Sequence, residues 1–348
     1  MAVNLASKYE KQFDAAFKPS SYLEGKCSSK YNFDGAKKIN IYSPVTAALV
    51  DYTRSGTSRY GTPEEMQNTL QELELTQDKG FTQTLDRGNY SDSMMAISAG
   101  AWMQEQIAQV IVPNSEKYAF SQFIKLAGQV VTVTAAVEKS DVATGLMSLA
   151  TALTNHNVPE QGRYLYIPAS HHAKLKLSDE FIAIQNLGEK SVGKGVIGEF
   201  SGTPVVCIPD SYFPADCYAL MAHRDAIINP KKISTFKTHT NPPGIDGWLM
   251  EGRVYYDAFV LASKCWGVAA LVLASKKSSV TLTTAGVASG TNTKEIWCTT
   301  DGTDPRYSKT KFVYTSAIGE AGDTIKAVGL GNDGYFTSDV VTETRAGS

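Results

Sequence analysis

Apolar and polar residues alternate along the segment "LQELELTQDKGFTQTLD", which runs from Leu70 to Asp86. Acidic and threonine side chains dominate the even-numbered positions. Four apolar residues lie at odd-numbered positions: Leu73, Leu75, Phe81 and Leu85. This two-residue period predicts a β-strand. At roughly 3.3 Å per residue an unbroken strand would span about 50 Å, whereas ordinary strands hold about 5–6 residues.

Two arrangements of this segment fit the alternation equally well. It forms either one long strand or a hairpin whose three-residue turn is Asp78–Gly80, with Gly80 in the left-handed conformation. Both give a thin sheet that is too polar on one side for a domain core, and an uncovered sheet edge promotes aggregation. We therefore expect a surface outside this subunit to cover the segment.

The segment belongs to an extended excursion of the chain over residues 37–90. The excursion begins with the strand-like "KKINIYSPVTAALVDYT", which Pro44 interrupts, and continues through the turn-rich "RSGTSRYGTPEEM". Residues 1–36 precede it and are polar with little periodicity. They predict an extended N-terminal arm.

A helical period replaces the alternation after the excursion. The apolar residues at helical spacing are Met94, Ile97, Ala101, Ala108 and Ile111. With Ser91 or Ser93 as the N-cap, they predict a helix that Pro113 ends or kinks. A second helical stretch is predicted over Glu116–Ala127.

Helices and buried strands follow in the next part of the chain. Helices are predicted over 141–156, with Ser140–Asp141 as its capping pair, and from the cap Ser170 to Leu177. "RYLYIP" after Gly162, "TPVVCIP" and "DCYALMA" are typical of strands, and "VYYDAFVLASKCWGVAALVLA" of a strand or strand pair that closes the domain. The predicted fold class is α+β.

The composition changes at Lys276–Ser279. Beyond this boundary Thr, Gly, Ser and Val dominate, with a turn signal every 8–12 residues or so, which predicts a small all-β sandwich over 279–348. Because the boundary is rich in Lys and Ser, we expect a chain truncated after Ala274 to fold without the sandwich.

The overall composition narrows the functional classes. The 348 residues are 43% hydrophobic with a formal net charge of −2, which fits two or three domains and gives no overall field that attracts nucleic acid or a membrane. The N-terminus lacks the apolar core of a signal peptide, and the most apolar run, Cys265–Ala274, is half the ~20 residues of a spanning helix. We expect a soluble, unexported protein without membrane contact.

No constellation of residues predicts catalysis, a cofactor or a metal. The five cysteines form no CxxC pair, and the histidines lack partners at metal-binding intervals. "GKGVIG", Gly193–Gly198, matches a dinucleotide fingerprint, but a strand follows it where a helix is required. Asp301 and Asp304 in "TTDGTDP" lack the ligand pattern of a calcium loop and predict turns, with Gly302 left-handed.

The order of arm, excursion, long helix, α/β part and return strand resembles the major capsid proteins of tailed bacteriophages, the Hong Kong 97-type fold. Four stretches carry the resemblance: "VPEQGRYLYIPASHHAKL", "GVIGEFSGTPVV", "LTQDKGFTQTLDRGN" and "YYDAFVLASKCWGV". One departure follows Pro113, where many relatives show a Glu-x-Asp pair and this chain has Asn114, Ser115 and Glu116. The resemblance covers roughly residues 36–273.

The resemblance implies a structural, non-enzymatic shell protein. Its parts would be an arm (1–36) and a capsid-fold domain (37–274) that holds an extended loop (37–90), a spine helix (92–128) and an axial domain (140–230). In this family the loop lies across a neighbouring subunit, within rings of five and six. The candidate interface residues on the loop are Arg54, Arg59, Glu72, Glu74, Asp78, Lys79 and Phe81.

The family also implies partners and a location. The chain would pair with itself in hexamers and pentamers, use a separate scaffolding protein and a portal, and contact packaged double-stranded DNA non-specifically. It would reside in the capsid of a virion that is assembled in the host cytoplasm.

The tail "IWCTTDGTDPRYS … GDTIKAVGLGNDGYFTSDVVT" is similar to the immunoglobulin-like module at the C-terminus of chitobiase-type glycosidases, a chitobiase/beta-hexosaminidase relative. Cys298 replaces the aromatic residue that precedes the turn in that family. The similarity implies a sandwich on the outer face of the shell, in weak contact with polysaccharide.

Two other interpretations stay open. An encapsulin-like compartment has the same fold and encloses protein cargo, and a carbohydrate-active enzyme with a binding tail belongs to a different class. A neighbouring gene for a cargo enzyme would favour the compartment. Turnover that is lost on substitution of one His or Asp would favour the enzyme.

Overall fold

A computed structural model describes residues 21–31, 33, 37–47, 49–63, 65–66, 68–88, 99–177 and 196–347. Most of the predicted arm, the proposed helix cap at Ser91 or Ser93, and Gly193 and Gly195 of the glycine-rich motif lie outside these ranges.

The strands, in chain order, are β1 (Lys38–Pro44), β2 (Asn68–Glu74), β3 (Gln77–Asp86), β4 (Gln129–Val133), β5 (Arg163–Pro168), β6 (Val196–Phe200), β7 (Thr203–Ile208), β8 (Cys217–His223), β9 (Ile227–Ile228), β10 (Lys231–Thr240), β11 (Gly247–Tyr256), β12 (Phe259–Val260), β13 (Val268–Leu273), β14 (Ser279–Leu282), β15 (Ala288–Thr291), β16 (Thr293–Thr299), β17 (Phe312–Val313), β18 (Thr324–Gly331) and β19 (Val341–Thr344). The helices are α1 (Ala99–Gln106), α2 (Val112–Lys125), α3 (Val142–Asn155) and α4 (Ala169–Lys176).

A six-stranded sheet of order β4-β13-β8-β5-β7-β6 forms the centre of the molecule. Its strands are apolar at consecutive positions because helices cover both faces. On one face, Phe120 and Phe123 of α2 pack with Tyr166 of β5. On the other, Leu149 of α3 packs with Leu165 of β5. The predicted mixture of helices and buried strands is confirmed.

The long helix continues through Pro113. A π-helical turn, Ile107–Ile111, joins α1 to α2, and the backbone at Ile111 and Val112 stays right-handed helical. Proline lacks an N–H and its ring clashes with the preceding turn of a regular helix. The wider π turn directly before Pro113 accommodates both effects. Of the two predicted alternatives at Pro113, an end of the helix is therefore wrong, and a kink stays a prediction.

Neither of the two predicted helix caps that lie within the described residues forms. The Ser140 hydroxyl donates to Asp141 Oδ1 at 3.2 Å, and Asp141, at the N-cap of α3, makes no side-chain capping bond. Helix α4 begins at Ala169, and the Ser170 hydroxyl instead donates to Asp210 Oδ1 at 3.1 Å. In both cases the serine hydroxyl bonds to a carboxylate close in sequence or in space instead of to the backbone of the helix.

The segment from Leu70 to Asp86 is neither one strand nor a hairpin. It breaks at Leu75–Thr76: β2 pairs with β1, whereas β3 pairs with β11 in a sheet of order β10-β11-β3. Gly80 lies inside β3, opposite Arg253, and forms no turn. Alternation shows which face of a strand is apolar but not which strand pairs with it, so both predicted arrangements fail.

The chain itself covers the base of the excursion. Leu73 and Leu75 are buried in a cluster with Phe33, Ile41 and Leu261. The expectation that only an external surface covers this segment is therefore wrong for β2. The strand β1 stops at Pro44, so residues 45–47 and 49–53, which the sequence pattern placed in a strand, are irregular and exposed.

Two small sheets form the C-terminal sandwich, β14-β15 and β17-β16-β18-β19. Val280, Cys298 and Ile325 lie in its core. Asp301 Oδ1 accepts a bond from the Thr303 amide at 3.0 Å, and Gly302 has a φ of +73°. The predicted turn at this site and the all-β character of the region are confirmed.

Candidate assembly surface

The segment between β1 and β2, which we call the loop tip (the described residues of 45–66), exposes large apolar side chains. They are Val45, Leu49, Val50, Tyr52, Tyr60 and Met66. The relative accessibility of Leu49 is 103%, and that of Met66 is 86%. A concentration of apolar side chains in water marks an interaction surface rather than an ordinary solvated loop.

The loop tip has a local structure of its own. The Thr53 amide donates to Arg59 O at 3.1 Å, and the rings of Tyr52 and Tyr60 pack edge to face with centroids 5.0 Å apart. Arg59 Nε donates to Gly56 O at 3.1 Å. Of the seven predicted interface residues, Arg54 and Arg59 lie here and are exposed.

Glu72 and Glu74 lie at the base of the loop, on the polar face of β2. Lys38 Nζ is 3.0 Å from Glu72 and 2.8 Å from Glu74, and Lys309 Nζ of the sandwich is 3.4 Å from Glu72. Hydrogen bonds from Lys38 lower the pKa of both carboxyl groups. These two predicted interface residues therefore have partners within the chain.

The other predicted interface residues lie along β3. Arg253 Nε donates to Asp78 Oδ1 at 2.8 Å, and this bond lowers the Asp78 pKa. Lys79 is exposed opposite Val254 of β11. Phe81 lies over Gly252, where a Cβ would approach its ring to 2.1 Å. The structure thus separates the seven residues into three groups: the tip, the β2 base and the β3 edge.

A buried carboxylate anchors the base of the loop to the body. Asp257 is buried and accepts hydrogen bonds from the amide and the hydroxyl of Thr76, both at 2.8 Å. The Tyr118 hydroxyl of α2 donates to the same carboxylate at 3.1 Å. Since Thr76 stands at the break between β2 and β3, these bonds hold the loop against the long helix.

A second buried carboxylate holds the described end of the N-terminal arm. Glu116 of α2 has no exposed side-chain surface and accepts hydrogen bonds from the amides of Tyr22 (3.2 Å) and Leu23 (3.3 Å) and from the Ser21 hydroxyl. Lys231 Nζ lies 3.9 Å away, and burial lowers its pKa. Sequence reasoning noted Glu116 only as a departure from the family pattern. Its position one turn before Phe120, on the apolar face of α2, was the available signal.

Neither a metal cluster nor a thiol of low pKa is found among the described residues. No group of three His, Cys, Asp or Glu residues there could hold a metal ion. The five cysteines are free, and burial raises the pKa of Cys27 to about 12 and that of Cys298 to about 11, far above the range of a reactive thiolate. No described helix is both long enough and apolar enough to cross a membrane.

Solved structures with a similar fold come from phage particles. A structure from Mycobacterium phage Che8 has a TM-score of 0.62 at 16% identity, and the match covers 78% of this chain and 98% of that chain. The capsid of the Cyanophage P-SCSP1u has a TM-score of 0.61 at 14% identity, with coverage of 78% and 93%. The mature capsid of bacteriophage PhiM1 has a TM-score of 0.58 at 11% identity, with coverage of 78% and 92%. The chain therefore has the phage capsid fold, as predicted.

Residues 280–345 match the protein-family model described as Fn3 associated. This match is consistent with the all-β sandwich, and the closer similarity to the chitobiase module stays a prediction. A search of curated proteins finds no match.

Proposed function

We propose that this chain is the structural major capsid protein of a tailed double-stranded DNA phage, and that its copies assemble as hexamers and pentamers into an icosahedral head. The phage capsid fold supports this proposal. The main observation behind the proposal is that the loop tip exposes Leu49 and Met66 to water. The base of the same loop is held by hydrogen bonds to Asp257.

The occupant proposed for the loop tip is a second copy of this chain. When a projecting segment contacts a different surface of the next copy, the contact is heterologous, and repetition closes into a ring if the rotation between copies allows it. The apolar tip of the long, two-stranded loop is then buried only in the assembly. A shell of this kind needs no catalytic residue.

The remaining partners follow from the same proposal. A separate scaffolding protein and a portal would act during assembly in the host cytoplasm, and packaged DNA would contact the shell non-specifically. The sandwich would lie on the outer face, because residues 279–348 carry more acidic than basic residues, which gives them no net attraction for DNA. Any contact that it makes with polysaccharide would be weak, since Lys311 Nζ lies 3.9 Å from the centroid of Trp297 and covers that ring.

Sedimentation of the purified full-length chain tests the proposal. We expect rings or particles far heavier than the 37.6 kDa subunit. A chain that stays monomeric at its highest soluble concentration, with and without co-expressed scaffold, would contradict it. Closed particles that enclose a protein cargo and exclude nucleic acid when the neighbouring genes are co-expressed would favour a cargo compartment.

Reversing the charge of Glu72 and Glu74 should impair particle formation more than subunit folding. The ion pairs of Glu72 and Glu74 with Lys38 lie at the surface, where solvent screens them, so the Glu72→Lys/Glu74→Lys variant should lose little stability. Like charges brought together at an interface cost several kcal/mol. Particle yield and thermal unfolding are measured together, with the exposed Glu320→Lys as the matched control. Equal yields from the variant and the control would remove these residues from the interface.

A further inference from the structure

The long helix ends in contact with the C-terminal sandwich rather than with water. The last carbonyl groups of any α-helix lack partners within the helix. Here the Thr337 hydroxyl donates to Lys125 O at 2.7 Å, and the Tyr307 hydroxyl donates to Leu126 O at 2.5 Å. Two residues about 30 positions apart in the sandwich thus satisfy successive carbonyls of the body.

Arg306 completes this cap from a buried position. Its Nη1 donates to Ala127 O at 2.6 Å and to Gly128 O at 3.0 Å, and the residue is only 5% exposed. Asp304 neutralises and orients the guanidinium, with an Nη2–Oδ2 distance of 2.6 Å. A cation at the C-terminal end of a helix also interacts favourably with the helix dipole.

Apolar packing joins the two parts into one core. Tyr307 and Phe336 of the sandwich are buried in the same cluster as Phe123 and Ala127 of the body. A chain without the sandwich would expose this part of the cluster to water.

The connection between the body and the sandwich is ordered by contacts on both sides. The Ser278 amide donates to Phe336 O at 3.0 Å, and the Phe336 amide donates to Lys276 O at 2.7 Å. Lys277 Nζ lies 3.1 Å from Val130 O of the body and 2.7 Å from Asp339 of the sandwich. The Lys- and Ser-rich boundary is therefore not a flexible linker.

We infer that the C-terminal sandwich stabilises the capsid-fold body, and that the body needs the sandwich to fold. It caps the long helix through Arg306 and, through Lys309 and Glu72, also contacts the base of the extended loop. We therefore expect a chain truncated after Ala274 to be unstable, which is the opposite of the expectation from the sequence. This inference goes beyond the proposed function and holds whether or not the chain forms a shell.

Three full-length variants test the inference: Arg306→Ala, the charge-conserving Arg306→Lys and the near-isosteric Thr337→Val. The exposed Lys294→Ala on the same sandwich is the control. We expect wild type to unfold in one calorimetric transition and to resist trypsin at Lys276 and Lys277. Arg306→Ala should lower the Tm by about 5 °C or more and be cut at this connection at least about tenfold faster, since it leaves two carbonyls and the half-buried Asp304 carboxylate without their partner.

Arg306→Lys should fall between wild type and Arg306→Ala, because a lysine keeps the charge but not the planar fork that reaches two carbonyls. Thr337→Val should show a smaller change in the same direction, which keeps the test informative if Arg306→Ala does not fold. The inference is overturned if all three variants match Lys294→Ala in Tm and in trypsin resistance. It is also overturned if the chain truncated after Ala274 unfolds at the wild-type temperature.

Discussion

Replacement of Leu49 and Met66 by serine should abolish particle formation while leaving the unfolding temperature of the subunit unchanged. Both side chains are almost fully exposed within the chain, so their loss removes no packing from the folded subunit. Burial of each in an interface would contribute about 1.5–3 kcal/mol, and every copy in a ring repeats the contact.

The control for this variant is Val287→Ser, which removes an exposed apolar side chain from the sandwich. Sedimentation gives the particle yield, and calorimetry gives the stability of the subunit. Normal particles from the Leu49→Ser/Met66→Ser variant would exclude the loop tip as an assembly contact. A large loss of subunit stability would mean that the tip packs within its own chain.

Glu116→Ala should destabilise the subunit by about 1–3 kcal/mol, because it removes a buried acceptor and leaves the buried Leu23 amide without its partner. The amides of Tyr22 and Leu23 lose their partner, and Lys231 loses its nearest negative charge. Urea unfolding measures the change in free energy. Trypsin cleavage at Lys26, which is buried in the native chain, reports whether the arm is released.

The matched control is Glu138→Ala, whose carboxylate is exposed and lies 3.4 Å from Lys174. We expect this variant to lose about 0.5 kcal/mol or less. If Glu116→Ala and Glu138→Ala unfold at the same urea concentration, Glu116 does not anchor the arm. Glu116→Gln, which keeps the shape but not the charge, should lie between the two.

Periodicity predicted β5, β7, β8 and β13 of the central sheet because each has a uniform environment, whereas β4 and β6 were not predicted. "DCYALMA" is apolar at consecutive positions since helices cover both faces of β8, and this signal lies within the segment itself. The turn at Asp301–Gly302 was predictable for the same reason, because its hydrogen bond spans only two residues.

The contacts that position the extended loop leave no such local signal. Thr76 bonds to Asp257, 181 residues later, and Asp78 bonds to Arg253, 175 residues later. Alternation along 70–86 was consistent with one strand or a hairpin, and it also fits two strands with different partners. The choice among them depends on β1 and β11, which periodicity within the segment does not report.

The cap formed by Arg306 was missed for a related reason. "DPRYS" is typical of a surface turn, and nothing in it distinguishes a solvated arginine from one buried against a helix end 179 residues earlier. A change of composition predicted the boundary of the sandwich, but composition does not show whether two domains share a core.

Electron cryomicroscopy of particles assembled from the full-length chain tests the central proposal most directly. The account predicts hexameric and pentameric rings in which the loop tip of each copy lies on its neighbour, with Leu49 and Met66 buried between them. A well-resolved map in which the tip folds back onto its own subunit, or projects into solvent, would contradict it.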